Sequence, residues 1–263
     1  VKAVIHFHTK YDHQRIAAEA MRSGLEKHGV TCAYGHYNTP TVRDPDFAVI
    51  WGAPVKQPAV TASAPHVLVM ERGHLQDRNV YTSCGWDGLA RRGRYPTATD
   101  GERWERLFGQ MMQPWRVGQG YALLIGQVYG DAAVRNINFE AWVRDRTAEL
   151  QSLGWDVKFR PHPLARRSRA SLAQDLAGAG MCVTYNSTSG VEAVLAGVPT
   201  VTLDEGAMAW DVSSHSLHDL ACPARETWAH NLAWTNWTLD EIAAGIPWEH
   251  LAPIMEDTCA TVM

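Results

Sequence analysis

The chain has 263 residues, 46% of them hydrophobic and 20% charged, and a net charge of −4 at pH 7. That length suits one large domain or two small ones, and interspersed charges of both signs exclude a global basic field that would recruit nucleic acid, leaving only local patches for such contacts. Five cysteines, at 32, 84, 182, 222 and 259, are widely spaced and form no CxxC or Cys/His ligand pattern, which excludes a disulfide scaffold or a zinc module and points to a reducing cytoplasm.

The N-terminus runs straight into the strand-like VKAVIHF with no signal peptide, and no apolar run approaches the roughly 20 residues of a membrane span. A helix is expected over His13–His28, with Ile16, Ala20, Met21 and Leu25 at helical spacing and Gly29 as its stop. Strands follow at Val30–Tyr34, Phe47–Trp51 and Val67–Met70, so residues 1 to 115 alternate in the βα manner of a parallel sheet covered on both faces. His6 and His8 form an HxH at the end of the first strand, the way some metal-dependent hydrolases begin a site. No second ligand motif accompanies them, so ordinary packed or exposed histidines are the simpler reading.

Residues 67–96, VLVMERGHLQDRNVYTSCGWDGLARRGRYP, read as a strand followed by a long, polar, Gly-punctuated binding loop. Glu71 directly follows the apolar run and is a candidate general base, with pairing to Arg72 or Arg78 as its alternative, and Asp87 is a second candidate base. Arg91, Arg92 and Arg94 sit beside Trp86 and Tyr95. A solvated face is the default for such a run, but arginines among aromatics also hold phosphate backbones and unstacked bases.

A helix over residues 102–117 leads to a Gly118-Gln119-Gly120 break, and YALLIGQ opens a second α/β unit. Its strands lie near 121–126, 156–159, 181–184 and 200–203, with helices near 138–152 and 169–178. Arg160, His162, Arg166 and Arg167 follow the strand ending at Phe159. The turn Asn186-Ser187-Thr188-Ser189-Gly190 leads from a strand into a helix over Val191–Ala196 that stops at Gly197. A hydroxyl-rich turn at a helix start offers an anion site; simple capping is the alternative. Both elements emerge at the carboxyl edge of a parallel sheet, where ligands sit. After Pro223 the chain turns helical, with Trp228, Leu232, Trp234, Trp237 and Ile242 as its apolar face and a capping box at Thr238 and Glu241. Eleven tryptophans suit core packing and ring stacking alike.

Three elements, GQVYGDAAV (residues 126–134), RPHP (160–163) and NSTSGVEA (186–193), occur in the order and kind of the QV, HP and SS motifs of capsular polysaccharide glycosyltransferases of the Kdo-transferase type. The chain resembles that family over about residues 121–222, departing from it in having Ser-Thr-Ser where the family has a Ser pair. The resemblance implies an α/β fold of two Rossmann-like lobes, GT-B-like, with the site in the cleft between them. The lobes would cover residues 1–118 (acceptor) and 119–222 (nucleotide sugar), and a helical segment, 223–263, would cross back to the first.

It further implies a metal-independent glycosyltransferase needing no cofactor beyond a UDP- or CMP-linked sugar. Arg160 and His162 would meet the phosphate, His162 sharing in catalysis; Ser187, Thr188, Ser189 and Gly190 would donate from the helix start; Glu192 would take the ribose hydroxyls; Gln127 and Asp131 would shape the sugar side. Glu71 would be the acceptor-side base. Less specifically, residues 71–95 and the tryptophan-rich C-terminal stretch resemble proteins of tailed phages, which implies a 5-hydroxymethyl pyrimidine in DNA as acceptor, bound by Arg72, Arg78, Trp86, Arg91, Arg92 and Arg94. A surface glycan is the alternative acceptor. A nucleotide- or DNA-binding module without catalysis and a metal hydrolase built on His6 and His8 are the other classes.

Overall fold

The computed structural model describes residues 1–77, 79–98, 100–116, 118, 120–166 and 168–257. Arg78, Arg167, Gln119 and Cys259 lie outside the described residues. The chain divides into two compact units, the first made of Val1–Gly101 with Ala229–Met263 and the second of Glu102–Trp228. The sequence places the change at Gly118–Gly120; it falls at Gly101/Glu102, so the helix read as leading to the hinge belongs to the second unit.

In chain order the first unit begins with β1 (Lys2–Phe7), α1 (Asp12–Lys27), β2 (Thr31–His36), β3 (Phe47–Trp51), the short α2 (Pro58–Thr61), β4 (His66–Arg72) and β5 (Tyr81–Trp86). The second contains α3 (Glu102–Leu107), β6 (Tyr121–Ile125), α4 (Phe139–Ser152), β7 (Val157–Arg160), α5 (Leu172–Ala177), β8 (Ala179–Thr184), α6 (Ser189–Leu195) and β9 (Thr200–Thr202). Helix α7 (Glu226–Ala233) contains the boundary, and β10 (Asn236–Thr238), α8 (Leu239–Ala244) and α9 (Ile246–Leu251) complete the first unit.

The first sheet has six strands in the order β10-β5-β4-β3-β1-β2. Strands β4, β3, β1 and β2 are parallel, as the buried apolar runs of β1, β3 and β4 predict, but β5 runs antiparallel to β4 and β10 antiparallel to β5. Residues 71–72 and 81–86 of the stretch read as a long binding loop are therefore strand. The second sheet is wholly parallel, in the order β7-β6-β8-β9.

Helix α1 buries Ala17, Ala18, Met21, Gly24 and Leu25. Ile16, expected on that face, is 41% exposed, because the smaller Ala17, Ala18 and Gly24 are what allow a second helix close. A Cβ on Gly24 would strike the Ile242 carbonyl and lie 3.0 Å from the Gly245 Cα, so α8 crosses α1 backbone to backbone. The expected capping box starts α8: Thr238 N–H donates to Glu241 Oε2 at 2.8 Å and Glu241 N–H to Thr238 Oγ1 at 3.2 Å.

His6 is 2% exposed, and its Nδ1–H donates to the His36 carbonyl at 2.6 Å. Burial lowers its pKa, opposed by that hydrogen bond and reinforced by the nearby His36. The unfolded chain binds a proton as pH falls through about 6.5 while the folded one resists it. His6 stabilisation is thus full above pH 6.5 and is lost as pH falls toward the lowered folded value. The urea midpoint should be flat above pH 7 and drop toward pH 5.5, with a shallower drop in His6→Asn; an identical slope in that variant would exonerate His6.

Candidate functional site

At the carboxyl edge of the second sheet, Asn186 ties three loops together. Its Oδ1 accepts from Gln127 Nε2 at 2.8 Å, and its own N–H donates to Gln127 Oε1 at 3.2 Å. Its Nδ2 donates to the Ala133 carbonyl at 2.8 Å and to Asp204 Oδ1 at 3.2 Å. Asp204 Oδ1 also accepts from the Gly206 N–H at 2.9 Å. The loops after β6, β8 and β9 are thereby held in one arrangement. Gly126 lets the next strand pass, since a Cβ there would lie 3.0 Å from the Arg160 carbonyl and 3.1 Å from the Pro161 Cα.

The hydroxyl turn closes on itself. Ser187 N–H donates to Thr184 Oγ1 at 3.0 Å, Ser189 N–H to Ser187 Oγ at 3.2 Å, and Gly190 N–H to the Ser187 carbonyl at 2.9 Å. The backbone N–H groups of Ser187, Ser189 and Gly190, expected to face an anion, are thus met within the chain. What the turn can present is hydroxyl: an Oγ that accepts from the backbone keeps its own O–H to donate. Ser187, Thr188 and Ser189 are all partly exposed. His162 Nδ1 accepts from the Leu164 N–H at 3.2 Å, which places the proton of the neutral ring on Nε2, a donor suited to a phosphate oxygen.

Arg160 does not serve as expected. Its guanidinium pairs with Asp175 and donates to the Ala170 carbonyl at 2.9 Å, and Lys158 Nζ adds a 2.7 Å contact to the same carboxylate. Burial pushes the Asp175 carboxyl up, but the hydrogen bonds from Lys158 and Arg160 outweigh it and hold the group below the usual carboxylate range. Arg160 therefore anchors α5 to β7. Asp131 Oδ1 caps the short 3-10 turn 132–134 through the Ala132 N–H at 2.7 Å, and Glu192 lies exposed in the first turn of α6. A file of rings, Tyr129, Phe139, Trp142 and Tyr185, flanks this edge with successive centroid separations of 5.6, 5.1 and 5.9 Å.

In the first unit Glu71 is the penultimate residue of β4, half-buried at the carboxyl edge of the parallel strands. Its Oε1 accepts from the Arg72 N–H at 2.9 Å, and its Oε2 lies beside Gly52. His13 is close enough to feel both neighbours: burial lowers its pKa, as does the Arg72 charge, against the opposing pull of Glu71 and Asp12.

Three other expected site residues are structural. Trp86 is fully buried, its ring edge-on to Phe47 at 5.5 Å and its Nε1–H on the Leu251 carbonyl at 2.9 Å; it cannot stack on a base. Tyr95, beside it in the expected cluster, is 3% exposed. Asp87 accepts from Arg94 at 2.7 Å and from the Val67 N–H at 3.2 Å, and Arg94 also binds the carbonyls of Ile254 at 2.8 Å and Asp257 at 2.5 Å. That pair fastens the segment after α9 and offers neither a base nor a phosphate contact. Arg72 donates to Asn79 Oδ1 at 2.6 Å, and Arg91 and Arg92 lie on a surface 3-10 turn. His8 Nδ1 accepts from the Lys10 N–H at 3.2 Å; with His6 buried on His36, the HxH side chains do not act as a pair. Among the described residues, no group of three or more His, Cys, Asp or Glu is placed to hold a metal ion, and no helix is long and apolar enough to cross a membrane.

Asn186, the organiser of the second-unit edge, escaped the sequence reading although it adjoins the hydroxyls that were singled out. Its signal was an amide two residues past a buried strand, the strand adjacent to the one that precedes Gln127.

No protein-family model matches the sequence, and no curated protein matches it. Among solved structures, 95% of the chain aligns with 99% of the Thermosulfurimonas dismutans KpsC beta Kdo 2,7 transferase at 14% identity and a TM-score of 0.57. Likewise 87% of it aligns with 89% of the beta Kdo 2,4 transferase of KpsC from the same organism, at 16% identity and a TM-score of 0.58. The chain is therefore similar in fold to the Kdo transferases of KpsC.

Proposed function

We propose that the protein is a metal-independent glycosyltransferase of the GT-B kind, moving a sugar from a UDP- or CMP-linked donor to a hydroxyl of a saccharide, as in capsular or surface polysaccharide assembly. The observation that carries this reading is the fold shared with two sugar transferases over most of the chain. In the second unit, His162 and the hydroxyls of Ser187, Thr188 and Ser189 meet the donor phosphate, while Gln127 and Asp131 border the sugar. Glu71 takes the proton from the acceptor hydroxyl as its oxygen attacks the anomeric carbon. The bond from that carbon to the phosphate oxygen breaks and the nucleotide leaves with the electron pair, its charge met by preorganised donors.

A hydroxymethyl pyrimidine acceptor in DNA rested on an arginine surface interleaved with Trp86 and Tyr95. Both rings are core and Arg94 is locked in an ion pair, so the saccharide acceptor is the better supported. The test incubates the protein, with and without EDTA, with UDP, CMP, GDP and dTDP sugars and either Kdo oligosaccharides or hydroxymethylated DNA, and weighs the products. Sugar mass on a saccharide, unaffected by EDTA, is expected; sugar mass on DNA alone would transfer the assignment to the other acceptor. Glu71→Gln should cut turnover by about 100-fold or more with nucleotide binding unchanged. Loss of folding in that variant would make Glu71 a structural residue.

A further inference from the structure

At the carboxyl edge of the parallel strands of the first unit, residues far apart in sequence bring five rings into a continuous file. Tyr37, just past β2, lies 5.3 Å from His8, just past β1. His8 is 4.9 Å from Tyr11, Tyr11 is 5.9 Å from His13, and His13 is 5.2 Å from Trp51, the last residue of β3. Glu71 on β4 follows, next to Gly52 and within electrostatic reach of His13. The file thus follows sheet order from β2 through β1 and β3 to β4, three inter-strand steps or roughly 14 Å.

None of these five rings is buried: Tyr11 is 43% exposed, His13 is exposed, and His8, Tyr37 and Trp51 are half-buried. Trp51 packs in part against the core of the first unit, but core packing does not account for the alignment of the exposed Tyr11 and His13 with it. Lys10 and Arg72 beside the file are balanced by Asp12 and Glu71, so no net charge favours a polyanion such as a nucleic acid. Rings with polar edges, set in a row beside a carboxylate, suit a ligand that is apolar on its faces and hydroxylated around its rim.

We propose that this file is an extended acceptor subsite for an oligosaccharide, whose terminal hydroxyl lies at Glu71 and whose preceding rings stack along Trp51, His13, Tyr11 and His8 toward Tyr37. This rests on the transferase reading above and adds to it an acceptor class, a chain of linked sugars in place of a single sugar. Each ring that gains a stacking partner should tighten binding roughly 2- to 10-fold.

The experiment measures direct binding, by saturation-transfer NMR and tryptophan fluorescence without any donor, of neutral malto-oligosaccharides of one to three units, the series the balanced charge favours, with β-linked Kdo mono-, di- and trisaccharides as an anionic series of matching length. Affinity should rise with length in at least one series. Tyr11→Ala with Tyr37→Ala should erase that rise while leaving monosaccharide binding, thermal stability and nucleotide binding unchanged. Affinity independent of length in both series overturns the proposal, and so does a length dependence that survives the double variant. Length-dependent binding with no turnover of any nucleotide sugar would uphold the subsite while removing the transferase reading, so the two can fail separately.

Discussion

Replacing Asn186 by aspartate is expected to destabilise the second unit by about 2 to 4 kcal/mol, from lost hydrogen bonds and newly opposed acceptors. The amide Nδ2 donates to the Ala133 carbonyl at 2.8 Å and to Asp204 Oδ1 at 3.2 Å. In the variant an oxygen stands there, so two attractions become two repulsions, one of them between carboxylates. The sign is checked by pH. Protonating the new carboxyl restores a donor, so the gap between variant and parent should narrow as pH falls toward about 4. Asn186→Ala removes the bonds without the repulsion and should lose less. Urea unfolding at pH 7 and pH 4.5 measures all three proteins, and an aspartate variant as stable as the parent at pH 7 would remove Asn186 as the organiser of this edge.

The second large effect is expected from Gly24→Val, which should cost the first unit about 3 kcal/mol or more, the upper range for overpacking. The obstruction is the backbone of α8: a Cβ at Gly24 meets the Ile242 carbonyl and the Gly245 Cα, and neither can move aside by changing rotamer. Helices α1 and α8 would have to separate, loosening Met21, Leu25 and Ile242, which share one core. Ile16→Ala on the exposed side of α1 is the control, expected to stay within about 0.5 kcal/mol. The readouts are the urea midpoint and protease cleavage within residues 239–251. A Gly24→Val protein that unfolds like the parent and resists cleavage would mean the two helices cross less closely than described.

What the sequence revealed and what it hid divide along physical lines. Strands β1, β3, β6 and β8 were legible because strands buried on both faces are written as unbroken apolar runs, and the α8 capping box because its chemistry is local. Strand β5, YTSCGW, was hidden: its small and polar residues resemble a loop, and nothing local says that Trp86 points into a core. The same blindness turned Arg94 and Trp86 into a surface, since composition reports which residues adjoin in sequence but not which face solvent. Arg160 was misread because its partner, Asp175, is 15 residues away. The ring file was invisible for a related reason, residues 8, 37 and 51 becoming neighbours only when β1, β2 and β3 align. Its one local trace is an aromatic or histidine within two residues of each strand end.

The closing of the first sheet by β10 bears on how the chain is made. Residues 102–228 are contiguous and can fold once they have left the ribosome, whereas β5 has its outer partner only after Asn236–Thr238 emerge. Until then Tyr81–Trp86 is an open strand edge, Trp86 lacks the Leu251 carbonyl that receives its indole proton, and α1 shows water the surface that α8 will cover. An unfinished β edge beside uncovered apolar side chains is the kind of nascent species that self-associates. The first unit, begun before the second in synthesis, is therefore the later of the two to be completed, and the one whose unfinished edge is the longer exposed to self-association.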